Sequence, residues 1–174
     1  MTQSPAIRLV RVTDAVALSA HDPAALEGHC NASVDGVADM IAAVIEQGEA
    51  HRGRTGAPRE WGAFLAVDDA ERAVIGTCAY VNAPDAHGAV EIAYFTFPQY
   101  ERRGYGGAMA GALLADAAAT GAVKLVYAHT LPEINASTRI LARHGFAQTG
   151  TAHDEEAGEV WRWERAVDGQ VKQP

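Results

Sequence analysis

The chain has little of several things. Two cysteines occur in 174 residues, Cys30 and Cys78, far apart and outside any CxxC spacing. That pattern implies neither a disulfide framework nor a zinc knuckle, and both residues read as small buried apolar groups. Lysine is nearly missing: Lys124 and Lys172 stand alone, and the other cations are arginines. With a net charge of −8, the chain lacks the basic face of a general nucleic-acid binder. The acidic excess leaves room for a cationic substrate. No apolar run is long enough to span a bilayer; the greasiest stretch, 108–123, is interrupted by Asp116, Thr120 and Gly121. The N-terminal MTQSPAIRLVRVTD has no such run either and does not read as a signal peptide, so a reducing cytoplasm is the expected location.

What is present is ordinary globular material, 48% apolar and 21% charged, enough for one sizeable core. One domain is expected over 1–167, with a frayed tail over 168–174. Alternation predicts a strand over 6–13, followed by a helix capped at Thr13-Asp14. A second short helix is expected after Pro23. Val34, Val37, Ile41, Val44 and Ile45 recur at helical spacing, with Ser33 as the expected cap and Gly48 as the expected stop. HRGRTGAPRE (51–60) reads as a polar loop. WGAFLAV (61–67) and AVIGTCAYV (73–81) read as a hairpin, and AVEIAYFTF (89–97) as a fourth strand ending before Pro98. A loop over 98–105 then leads into a helix reaching about Thr120. A fifth strand (124–130), a helix begun near Asn135 and stopped by Gly145, and two last strands joined by an acidic turn complete the order. Strands in a run and then in alternation predict a mixed α/β sheet with helices on both faces, the fourth and fifth strands being parallel.

The chemistry concentrates in FPQYERRGYGGAMAGALL (97–114). Strand, glycine-rich loop and helix start make an anion site, because the first amides of a helix lack intrahelical partners and carry its positive dipole end. Gly104, Gly106 and Gly107 let phosphate oxygens approach the backbone, and Arg102 and Arg103 can add charge-assisted bonds. A Walker loop needs Gly-Lys-Ser/Thr, which is missing. A dinucleotide fingerprint needs a third glycine where Met109 stands, and no acidic residue closes the next strand. The plainer alternative is a tight turn whose small residues permit close helix–sheet packing.

Glu101-Arg102-Arg103-Gly104-Tyr105-Gly106 resembles the acetyl-coenzyme A loop of the GNAT superfamily, Gln/Arg-x-x-Gly-x-Gly/Ala, with Glu101 departing at the first position. LPEINASTRILARHGF (131–146) resembles a second signature of that family, in the right order and spacing. The resemblance is strong over 89–146, and its nearest flavour is the RimJ-like branch. It implies a GNAT fold: a mixed, mostly antiparallel sheet of six or seven strands, splayed between the fourth and fifth and flanked by about four helices. It also implies acetyl-CoA as co-substrate without a metal, N-acetyl transfer to a small-molecule amine or protein N-terminus, and a homodimer as a family expectation. The pantetheine arm would meet the backbone of Phe95, Thr96 and Phe97. The pyrophosphate would meet Arg102, Arg103, Gly104, Tyr105, Gly106 and Gly107. Asn135 is either a pantetheine ligand or an ordinary helix cap.

In the family a glutamate on the fourth strand often takes the proton of the attacking amine, and Glu91 stands on that strand in an otherwise apolar run. His129, at the end of the fifth strand, is the second base, or a histidine that holds a loop. The tyrosine that many members use to protonate the thiolate is Leu141 here, which leaves the general acid unassigned, with Tyr127 a distant candidate. That departure keeps open a non-catalytic acyl-CoA-sensing module. HDEEAGE (153–159) reads as a solvated acidic turn rather than a metal cluster. Trp161 and Trp163 read as sheet packing or a dimer contact at least as readily as a stacking surface.

Overall fold

Seven strands form one sheet in the order β1-β2-β3-β4-β5-β7-β6. This arrangement comes from a computed structural model that describes residues 4–167; the tail expected over 168–174 lies outside them. The strands are β1 (Arg8–Arg11), β2 (Ala63–Asp68), β3 (Ala73–Tyr80), β4 (Ala89–Thr96), β5 (Leu125–Thr130), β6 (Ala147–Asp154) and β7 (Gly158–Ala166). The helices are α1 (Asp14–Leu18), α2 (Pro23–Cys30), α3 (Ala38–Thr55), α4 (Tyr105–Thr120) and α5 (Ala136–Arg143). Every neighbouring pair is antiparallel except β4 with β5, which the α4 crossover joins in parallel.

Local chemistry accounts for most of the boundaries. Thr13 caps α1 by accepting from the Val16 amide, and Asp22 caps α2 with Pro23 in the first helical position. Asn135 opens α5 in a reciprocal capping box with Thr138. Gly121 and Gly145 end their helical segments at φ of +68° and +78°.

One helix departs from expectation. Ser33 does not cap α3; its backbone bridges the sheet, donating to Arg72 and accepting from Val74. The helix begins at Ala38, after Val34 and Val37 have already been buried. Gly48 does not stop it either. An exposed mid-helix glycine costs only about 1 kcal/mol, which tertiary anchoring offsets. That anchor is Arg59, whose guanidinium forks onto both Glu49 oxygens at 2.7 and 2.9 Å and also pairs with Asp14 at 2.7 Å. The helix therefore runs through much of the expected 51–60 loop and ends at Gly56, φ +69°. Among the described residues the five helices that the residues predict are all present, close to the about four that the resemblance implies.

Two cores result. One packs α4 and Leu141 of α5 on the face carrying Val90, Ile92, Val126 and Ala128. The other packs α1, α2 and α3 on the opposite face around Leu65, Val67 and Phe97. The start of α4 is pinned by a buried polar contact: Tyr105 donates to Asp68 at 2.8 Å, and Asp68 also accepts from the amides of Ala70 and Glu71. Burial pushes the Asp68 carboxyl up, but these donors together outweigh it and hold it below its usual range. Burial, with Asp68 alongside, pushes the Tyr105 hydroxyl up to about 12.

Tyr105→Phe should cost about 1–3 kcal/mol, because a buried carboxylate loses its side-chain donor. Urea unfolding at neutral pH measures this. A carboxyl depressed in the folded state contributes stability that is present above the ordinary carboxylate range and lost as pH falls through its folded value. The gap between the variant and the parent protein should therefore narrow in acid.

Candidate functional site

β4 and β5 pair over only three residues: Ala89 with Leu125, Val90 with Val126 and Glu91 with Tyr127. Beyond Glu91, β4 follows β3 and β5 follows β7, so the two central strands part. The hydrogen-bond ladder shows which groups are left open. Phe97 donates to Ile75, and Glu91 accepts from Val81, so odd residues of β4 turn their backbone groups toward β3. Gly88 accepts from Lys124, so even residues turn theirs toward β5. With a period of two, Tyr94 and Thr96 present their amides and carbonyls to the gap. Phe95 and Phe97, expected to meet a pantetheine arm, are committed to β3 instead. Their place passes to Tyr94, which alternation counted from the hairpin register would have found.

The glycine loop borders the same gap. Among the described residues, no carbonyl takes up the amides of Arg102 through Gly107; the first bond of α4 runs from Ala108 to Gly104 at 3.1 Å. Arg102 lies at φ +60° and Gly104 at +87°. Backbone that passes in and out of the left-handed region turns successive N–H groups into an anion-binding hollow. A Cβ on Gly106 would sit 2.8 Å from Ile140 Cδ1, 3.7 Å from Thr96 Oγ1 and 4.0 Å from the Tyr94 ring, so only glycine lets α4, α5 and β4 converge there. Close packing and open amides coexist, because the loop is exposed and the first turn half-buried. Tyr105 offers the site only its amide, since its side chain is in the core. Arg102 is exposed without an ion pair among the described residues, whereas Arg103 lies 3.9 Å from Glu71 and over the Tyr100 ring.

Glu91 and His129 meet. Glu91 Oε1 and His129 Nδ1 are 2.8 Å apart, with side chains 23% and 25% exposed; Glu91 belongs to the last β4–β5 pair, and His129 lies two residues past its partner Tyr127. An ionised carboxylate only accepts, so Nδ1 carries the proton that lies between them. His129 Nε2 is buried with no partner among the described residues. The bond joins the two residues that the sequence offered as alternative bases into one unit.

Other expectations fall differently. Asn135 Oδ1 is taken by the Thr138 amide at 3.0 Å, so the residue is a helix cap. Leu141 is fully buried in the core. Tyr127 edges onto His129 and lies under Arg162 at 4.0 Å. The Tyr94 hydroxyl is buried and unpartnered among the described residues; burial pushes it up to about 12, with Ser137 opposing. Trp163 packs in the core and donates to Thr130 at 3.0 Å. Asp154 caps its own turn through the amides of Glu156 and Ala157. Among the described residues no group of three His, Cys, Asp or Glu is arranged for a metal, and no helix is long and apolar enough to cross a membrane.

A groove of about 550 Å³ opens on the opposite face of the sheet, between the end of α3, Trp61 and the β3–β4 surface at Ala93 to Phe95. It explains why Ala93 and Phe95, the latter 46% exposed, are uncovered in the middle of a sheet. Glu91 lies on that same face of β4.

An acetyltransferase (GNAT) domain model matches residues 6–147. The chain belongs to the GNAT acetyltransferase family. No curated protein sequence matches it. Solved GNAT-type structures that resemble it include RimL, the ribosomal L7/L12 alpha-N-protein acetyltransferase, in complex with coenzyme A (TM-score 0.64, 14% identity, 95% of this chain and 96% of that one). The spermidine/spermine N-acetyltransferase SpeG of Vibrio cholerae gives a TM-score of 0.63 at 14% identity, over 92% of this chain and 94% of that one. The microcin C7 self-immunity acetyltransferase MccE, in complex with acetyl-CoA and AMP, gives 0.61 at 12%, over 95% and 98%. At these identities the likeness is one of fold.

Gly106→Val should push α5 away from α4 and lower stability by about 1–3 kcal/mol. A fall in Tm by differential scanning calorimetry checks it, and an unchanged Tm would show that the contact at Gly106 is slack.

Proposed function

We propose that the protein transfers an acetyl group from acetyl-CoA to a primary amine by direct attack, in the manner of the RimJ/RimL-like branch. The observation that carries this reading is the juxtaposition at the splay. Unpaired amides run from Arg102 to Gly107, free backbone groups from Tyr94 and Thr96 line the gap, and the Glu91–His129 pair lies just inside it. Coenzyme A and acetyl-CoA in the RimL and MccE structures support the choice of donor.

In this reading the loop amides and Arg102 hold the diphosphate, supplying charge without a metal. Tyr94 and Thr96 complete a ladder with the pantetheine amides, which fixes the thioester between the strands. The acceptor approaches from the groove on the other face. Its ammonium proton passes to the Glu91–His129 pair, since only the free amine is nucleophilic. The amine nitrogen bonds to the carbonyl carbon, the C–S bond breaks, the sulfur leaves with the electron pair and takes up a proton, and the nitrogen's second excess proton passes to solvent, which reprotonates the group that served the thiolate. With Leu141 apolar, Tyr94 supplies the hydroxyl on the donor side. Its raised pKa keeps it protonated at neutral pH, as a donor to the departing thiolate must be. A non-catalytic sensor would have no use for a half-buried carboxylate–imidazole pair at the apex of the splay, and that weighs against the sensing alternative.

Glu91→Gln and His129→Gln should each lower kcat about 10²- to 10⁴-fold while thermal protection by coenzyme A stays unchanged. Thiol release from acetyl-CoA, scored beside a melting curve, separates the two effects. Full turnover in both variants would remove the pair from the mechanism.

A further inference from the structure

The acceptor groove is basic in a chain that is otherwise acidic, and this bears on what it admits. Its lining holds three arginines, Arg52, Arg54 and Arg59, and one acid, Glu49. Net charge over the whole chain is −8. The three cations are not equivalent. Arg59 is consumed by the fork onto Glu49 and the bond to Asp14, and it also reaches the Val12 carbonyl. Glu49 is held down to about 2, chiefly by Arg59 and further by Arg52, so the acid is ionised and already shared. Arg52 gives Glu49 one bond, Nη2 to Oε2 at 3.0 Å, and its Nε is buried without a partner among the described residues. Arg54 is exposed on the groove and makes no ion pair among them.

Arg52, Arg54 and Arg59 thus face two carboxylates, Glu49 and Asp14, and one positive charge is left over at the α3 end. The rest of the lining is mostly apolar and includes Val44, Trp61, Ala79, Ala93 and Phe95. A groove of about 550 Å³ is the size of a small-ligand site. The cations gather at the α3 end, where His51 also meets Asn82 one residue past the Val81 amide that donates to Glu91, and the remaining lining is mostly apolar; an acidic group and an apolar body on one amine suit that lining.

We infer that the acceptor is a small primary amine with an apolar body and an acidic group, carboxylate or phosphate, which Arg52 and Arg54 bind at the end of α3. The inference rests on the proposed transferase reading and names its substrate class. It reverses the expectation, drawn from overall charge, of a cationic substrate: in the groove the arginines outnumber the acids, and the local field decides. A polyamine would add positive charge to that excess, and a neutral amine would leave Arg54 without a partner.

The test uses 4-(aminomethyl)benzoic acid, its neutral amide, the matching benzylphosphonic acid and spermidine as acceptors, with the full chain and with Arg52→Gln/Arg54→Gln. Thiol release should favour the carboxylate or the phosphonate over the amide by at least about tenfold in kcat/KM, and these two arms tell the acid types apart. The double variant should lose that preference through a raised KM at nearly constant kcat, with coenzyme A protection unchanged. Equal use of the amide, preference for spermidine, or an equal loss on all acceptors in the variant would overturn it. Should no acceptor turn over, calorimetry of acid against amide in the presence of coenzyme A reads the same preference, and equal or undetectable binding overturns it. Failure of coenzyme A itself to bind would instead strike at the transferase reading.

Discussion

Two strands at the centre of a sheet stop pairing, and nearly everything functional follows from that. An unpaired backbone group in the interior is costly unless something meets it. β4 keeps β3 and β5 keeps β7, so each is held rigidly on one side while its other edge opens past Glu91 and Tyr127. The opening is therefore a fixed feature of the fold, with rigid walls and free amides in place before any ligand arrives.

The rest of the molecule serves the two sides of that opening. On one face α4 begins over the diverging half of β4, held there by the buried Tyr105–Asp68 contact and by the absence of a side chain at Gly106. On the other face α1, α2 and α3 cover β1 to β3 and leave Ala93 and Phe95 bare. The Arg59 fork fixes the end of α3 beside that bare patch. In the transfer proposed above, donor and acceptor arrive from opposite faces and meet where the strands part, which brings the reacting atoms together without a covalent intermediate on the protein.

Much of this was legible in the residues. The glycine loop, its helix, the parallel β4–β5 pair and the caps at Thr13 and Asn135 were read from local chemistry, which acts over a few positions and leaves clear marks. Three things were not legible. Gly48 looks like a helix stop because the fork that carries α3 past it comes from Arg59, outside the helix and held in turn by Asp14 at the other end of this half of the chain. Phe95 and Phe97 were assigned to the gap because strand parity depends on the register with β3. Glu91 and His129 were weighed as rivals because a chain read in one dimension does not place residues 91 and 129 within 2.8 Å of each other. In each case a long-range contact decided, and local pattern was silent.

The central claim is that coenzyme A lies along the even edge of β4 with its diphosphate on the loop amides. Backbone amide NMR of the protein titrated with coenzyme A tests it most directly. The account predicts slowed hydrogen exchange and large shifts at Arg102 to Gly107 together with Tyr94 and Thr96, while exchange at Phe95 and Phe97 stays as it was. Protection confined to Phe95 and Phe97, or a response that misses the loop amides altogether, would contradict it.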